Sequence, residues 1–77
     1  MITVLLFAHL QEEAKTSQIE LEVDRITVDA LKKDLAQRFH LSQLEHAMVA
    51  INEEFALNED TIQSGDAVAI IPPVSGG

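Results

Sequence analysis

The sequence predicts an α+β domain in which a mixed β-sheet packs on one main helix. Three observations predict it. Two apolar runs of strand-favouring residues stand near the ends of the chain, at residues 2–8 and 67–71. Between them, Ile19, Leu21 and Val23 alternate with Glu20, Glu22 and Asp24, the period of a strand with one wet face. One long stretch holds Val28, Leu31, Leu35 and Phe39 at helical spacing, with Lys32, Lys33, Asp34, Gln37 and Arg38 between them.

The elements follow in chain order. Residues 2–8 are almost continuously apolar and too short for a buried helix, so they read as a central strand with both faces occupied. Residues 9–15 contain Leu10, Glu12, Glu13 and Ala14 without Pro or Gly and read as a short helix or turn. After the alternating strand, Thr27 is placed to cap the long helix, with Asp29 in its first turn to suit the helix dipole. Residues 41–46 suggest another helical turn. Residues 48–51 read as a third strand that turns at Asn52, Glu53 and Glu54 into a short segment around Phe55 and Ala56. Residues 58–63 are polar except for Ile62, and Ser64-Gly65-Asp66 is a turn signal before the last strand. Strand, short helix, strand, long helix, strand, short strand, strand is the order of the β-grasp, or ubiquitin-like, architecture, with the first and last apolar strands central; periodicity supports the elements, and the topology is in part what the family resemblance given below implies.

Composition narrows the function. At 77 residues the chain is one domain near the lower size limit for a single core. It has no cysteine, which removes thiol catalysis, Cys-based zinc sites and disulfides and suits a reducing cytosol. Thirteen acidic against five basic residues give a net charge of -8, which opposes binding to nucleic acid and to anionic membranes and favours basic protein partners. Met1 leads directly into a strand pattern without a basic leader, and no apolar run approaches membrane-spanning length, so a cytoplasmic location is expected.

Side-chain chemistry is sparse. His9, His40 and His46 form no metal-ligand spacing, so no metal site is expected. Glu12-Glu13, Glu53-Glu54 and Glu59-Asp60 read as solvated charge, and Ser17, Ser42, Ser64 and Ser75 lie in no nucleophile motif. The distinctive feature is the end of the chain, Pro72-Pro73-Val74-Ser75-Gly76-Gly77, directly after an apolar strand. The prolines cannot continue a sheet ladder, so residues 1–71 are expected to form the domain and residues 72–77 a flexible, extended tail. The glycines make that tail thin enough to thread a narrow channel. The group left with useful chemistry is the carboxylate of Gly77, an anion at neutral pH and a poor electrophile until something activates it. A mixed anhydride with AMP would make its carbonyl attackable, and a sulfur donor could then leave a thiocarboxylate.

Phe7-Ala8 with Leu10 and Glu12, Ala50-Ile51-Asn52 before Phe55, Gly65-Asp66 before Val68-Ala69, and above all the Pro-Pro-Val-Ser-Gly-Gly ending make the chain resemble the MoaD type of the MoaD/ThiS family. These are the small, sulfur-carrying subunits of molybdopterin synthase. The resemblance implies that Gly77 is adenylated at the expense of ATP by an E1-like enzyme and converted to a thiocarboxylate. It implies that Pro72, Pro73, Val74, Ser75 and Gly76 enter the active site of a large subunit, where sulfur passes to cyclic pyranopterin monophosphate to build the dithiolene of molybdopterin. On the same resemblance the assembly holds two small and two large subunits, the catalytic pocket belongs to the large one, and this chain binds no cofactor itself. Phe7, Phe55 and Ile71 are expected to form an apolar patch shared by the large subunit and the activating enzyme. Where many members have Arg in a Leu-Arg-Glu segment, this chain has Leu10-Gln11-Glu12, so a contact made by that Arg is not implied here. Three rivals remain: a thiamine sulfur carrier, a modifier conjugated to lysine, and an interaction domain with an inert tail.

Overall fold

The computed structural model describes residues 1–39, 41 and 44–72. Its main sheet has five strands in the order β2-β1-β7-β4-β5, formed by β1 (Ile2–Leu6), β2 (Gln18–Leu21), β4 (Met48–Ile51), β5 (Glu54–Ala56) and β7 (Ala67–Ile71). The first and last strands lie side by side and parallel, with β7 in the centre, as the sequence predicts. β2 and β4 flank that pair antiparallel. A second sheet of two short strands, β3 (Arg25–Thr27) and β6 (Thr61–Gln63), pairs Ile26 with Ile62.

One face of the main sheet carries the core. Ile2, Val4 and Leu6 alternate along β1, Val68 and Ile70 along β7, and all five are essentially inaccessible. The helix α2 (Val28–Phe39) packs on them through Val28, Leu31 and Leu35. Its start is fully provided for: Val28 N–H donates to Asp60 O, Asp29 N–H to Asn58 O, and Ala30 N–H to Thr27 Oγ1 at 3.2 Å. Thr27 is therefore the cap that its position suggested. Along the outside of the helix, Asp29 pairs with Lys33 and Asp34 with Arg38, both at 3.2 Å and one turn apart.

Several elements differ from their sequence reading. β1 stops at Leu6, and its Thr3 and Leu5 are only half-buried, because among the described residues no second layer covers that side. The short helix α1 is His9–Ala14, buries Leu10, and ends at Lys15 in a left-handed conformation. β2 ends at Leu21, so Val23 lies beyond the strand. The helical turn expected at residues 41–46 is a 3-10 turn at Leu44–His46; His40 and Ser42 lie outside the described residues. The polar segment around Ile62 is a strand, because Ile62 closes the bottom of the core at 0% exposure.

At one end of the sheet, Asp66 ties two turns to strand β1. Its carboxylate accepts Gln63 N–H at 2.9 Å and the Asn52 side-chain amide at 3.0 Å, and its carbonyl accepts Thr3 N–H at 3.2 Å. Asn52, with φ of 51°, also accepts Ala67 N–H on its side-chain oxygen at 3.0 Å. The Gln63 backbone bond first, and the Asn52 amide second, hold the Asp66 carboxyl below its ordinary pKa. A depressed folded-state pKa gives stability that is present above the unfolded value and lost as pH falls through the folded one. Asp66→Ala should therefore lower the melting temperature near neutral pH, with the difference from wild type shrinking as pH falls below the ordinary aspartate value of 3.8. A difference independent of pH, measured by thermal circular dichroism, would remove the carboxylate from this role.

Candidate functional site: the uncovered sheet face and the end of the last strand

The same alternation that buries one face leaves the other open. Across the sheet the register aligns Gln18 with Leu5, Leu5 with Ala69, Ala69 with Ala50, and Ala50 with Phe55. The neighbouring row pairs Ile71 with Met48. The centre of this face is made of alanines and is therefore low, while larger apolar side chains stand at its margins. Phe55 is 69% exposed, Met48 51% and Phe7 45%, whereas Ile71 is half-buried. An apolar face of this kind, left uncovered by the only long helix among the described residues, has the character of a docking surface. Sequence reasoning singled out Phe7, Phe55 and Ile71 but missed Met48, Leu5, Ala50 and Ala69. Met48 alternates with Val49, which is buried at 2%, and its place on this face follows from the register of β4 against β7.

Phe7 follows β1 and Ile71 ends β7, so both stand where the parallel pair terminates. Strand pairing stops at Ile71, the position at which the following prolines were expected to stop it. Pro72 is buried and still belongs to the packed domain rather than to a tail free of it. Pro73, Val74, Ser75, Gly76 and Gly77 lie outside the described residues. The chain thus leaves the sheet from its central strand, at the margin of the open apolar face.

The remaining chemistry is slight. Among the described residues no group of three or more His, Asp or Glu could hold a metal ion, and no helix is long and apolar enough to cross a membrane. Gln11, which stands where the resemblance led us to look for Arg, is exposed on α1. Lys32 is a buried polar residue on α2, and its ammonium donates to Asn58 Oδ1 at 3.1 Å.

Comparison with known proteins fits this geometry. Residues 4–77 match the ThiS family. The chain belongs to that family. It is 36% identical, over 81 aligned positions and 100% of both chains, to a molybdopterin synthase sulfur carrier subunit of Haemophilus influenzae. It is 35% identical, again over the full length of both, to the sulfur carrier subunit of Escherichia coli. Among solved structures, SAMP1 of Haloferax volcanii superposes with a TM-score of 0.82 at 30% identity, covering 99% of this chain and 98% of that one. The β-grasp fold read from the element order is therefore the fold of this ThiS-family chain.

The open face makes a stability prediction. Phe55→Ser should change the unfolding free energy by no more than about 0.5 kcal/mol, as exposed substitutions do. Leu6→Ala, on the buried face, should cost about 2–5 kcal/mol. Urea denaturation of the two variants tests the assignment of faces, and a large loss for Phe55→Ser would reverse it.

Proposed function

We propose that this chain is the sulfur-carrier subunit of a molybdopterin synthase, and that the sulfur is carried on the α-carboxyl group of Gly77. The observation that carries this reading is the full-length relationship to two molybdopterin synthase sulfur carrier subunits. The fold supplies what such a carrier needs, a rigid body with an apolar docking face and a chain end leaving the central strand beside it.

The chemistry runs in three steps. An E1-like enzyme directs the Gly77 carboxylate onto the α-phosphorus of ATP; pyrophosphate leaves and an acyl adenylate forms. A sulfur donor attacks the acyl carbon, AMP leaves, and the terminus becomes a thiocarboxylate. In the large subunit its sulfur forms a carbon–sulfur bond to cyclic pyranopterin monophosphate as a carbon–oxygen bond at that carbon breaks and the departing oxygen takes up a proton; water then cleaves the acyl–sulfur bond of the resulting thioester, which returns the carboxylate and leaves the sulfur on the substrate. A dithiolene holds two sulfurs, so two charged carriers are consumed per product, in keeping with a complex of two small and two large subunits.

In this reading Pro72 fixes where the arm departs. Pro73, Val74, Ser75, Gly76 and Gly77 enter the large subunit, reaching about 17 Å if extended. Glycines suit the innermost positions because a Cβ there would meet the channel wall. Phe7, Phe55 and Ile71, together with Met48, hold the large subunit and the activating enzyme in turn. Replacing Phe7 or Phe55 by Ser should weaken binding to the large subunit by about 2 kcal/mol or more, measured by calorimetry, if they are anchors of that interface. Unchanged binding by folded variants would move the interface elsewhere.

The likeness to SAMP1, a small archaeal modifier protein, favours one second reading, in which a lysine captures the activated glycine. Incubation with an E1-like enzyme, ATP and a sulfur donor, followed by intact-mass measurement, separates the two. A carrier exchanges one oxygen for sulfur, whereas a modifier gives a ladder of conjugates. A variant with one residue added after Gly77 should give neither product while keeping its fold. Full sulfur loading of that variant would contradict the proposed site.

A further inference from the structure

The sheet edge remote from β5 carries a second open surface, on strand β2. Among the described residues this strand pairs only with β1. Leu6 N–H donates to Ser17 O at 2.9 Å, which fixes the alternation of the antiparallel ladder. The pairs Val4–Ile19 and Ile2–Leu21 exchange hydrogen bonds, and the intervening pairs Leu5–Gln18 and Thr3–Glu20 do not. The backbone N–H and C=O of Gln18 and Glu20 therefore point outward to the free edge. At Gln18 both groups are taken by Thr16, whose hydroxyl donates to the carbonyl at 3.0 Å and lies 3.4 Å from the N–H. At Glu20 no described residue takes them.

Next to this edge a groove of about 620 Å³ runs between β2 and α2, lined on its apolar side by Leu21, Val23, Ile26 and Ala30. On its helix side, Asp34 and Arg38 neutralise each other at 3.2 Å. Leu21 belongs to the core-facing set of β2, while Glu20 sits opposite Thr3 on the other face of the strand. Glu22 continues that alternation, and among the described residues neither glutamate has an ion-pair partner.

We propose that this edge receives an extended segment of a partner protein, in which apolar residues alternate with lysine or arginine, added as a further strand to β2. Each part of that description comes from the site. Open backbone groups at Glu20 select an extended chain rather than a helix or a small molecule. The groove is apolar along Leu21, Val23, Ile26 and Ala30, and its strand-side lining also includes Glu20 and Glu22. Side chains that alternate with those facing the apolar part would lie beside Glu20 and Glu22, where cross-strand pairing selects positive charge. The chain's net charge of -8 works in the same direction. Because β2 and β5 are opposite edges of the sheet, a partner held here leaves Met48, Phe55 and the end of β7 uncovered. The carrier could stay tethered through β2 while its other face changes partners.

The test is an NMR titration of the full 15N-labelled chain with a short capped peptide of alternating valine and lysine, beside a control of alternating valine and glutamate. The lysine peptide should shift the amides of Glu20, Glu22, Val23 and Ala30, slow exchange of the Glu20 amide, and leave Ala50 and Phe55 unmoved. Glu20→Pro removes the outward N–H without breaking a bond to β1, and should weaken binding about tenfold, the equivalent of one backbone hydrogen bond. Ala30→Trp fills the groove from an exposed helix position and should weaken it at least as much, which keeps the test decisive if the proline variant does not fold. Absence of binding, equal binding of the glutamate peptide, shifts centred on Phe55, or full affinity in both variants would overturn the proposal.

Discussion

A five-stranded sheet covered by one long helix can bury only one of its two faces. At 1.5 Å per residue, the 12 residues of α2 extend about 18 Å. That is close to the width of five strands spaced about 4.8 Å apart, with nothing to spare for the other side. The chain therefore concentrates its large aliphatic residues at one parity: Ile2, Val4 and Leu6 in β1, Val68 and Ile70 in β7, Val49 in β4. The other parity is freed from packing. Alanines at 50 and 69 keep its centre low, and Phe55 and Met48 stand clear at the margin. A surface that would be a liability in an isolated domain becomes usable when the domain works by meeting other proteins.

The parallel pairing of β1 with β7 decides where the chain ends emerge. β7 is held on both sides, by β1 and by β4, so the segment after it leaves from the best-anchored strand of the domain. Pro72 is buried at that exit. The turns at the opposite end of the sheet, bound through Asp66 and Asn52, hold the start of β7 to β1 and β4.

Long apolar runs and a helical period spanning three turns are visible locally, and these gave β1, β7, α2 and its Thr27 cap. The β3–β6 pair was not legible. Arg25-Ile26-Thr27 and Thr61-Ile62-Gln63 each offer a single apolar residue, too few for a period, and their pairing spans more than thirty residues of chain. Strand length was overread where apolar residues continue past the ladder, as at Phe7 and Val23, because hydropathy does not reveal where hydrogen bonding ends. The open face was only partly legible. Phe7 and Ile71 were placed opposite the core residues by parity, but Met48 needs the register of β4 against β7 to be recognised as part of the same surface.

In the proposed function, the body of this domain presents a sulfur-bearing terminus to a larger subunit. The most direct measurement is a single-turnover reconstitution: thiocarboxylated chain, a molybdopterin synthase large subunit, and cyclic pyranopterin monophosphate, followed by quantification of molybdopterin and of the remaining thiocarboxylate. The account predicts one molybdopterin for every two thiocarboxylates consumed, with the chain recovered as the unmodified carboxylate. Recovery of the thiocarboxylate intact beside an active large subunit, or its conversion into lysine conjugates without molybdopterin, would contradict it.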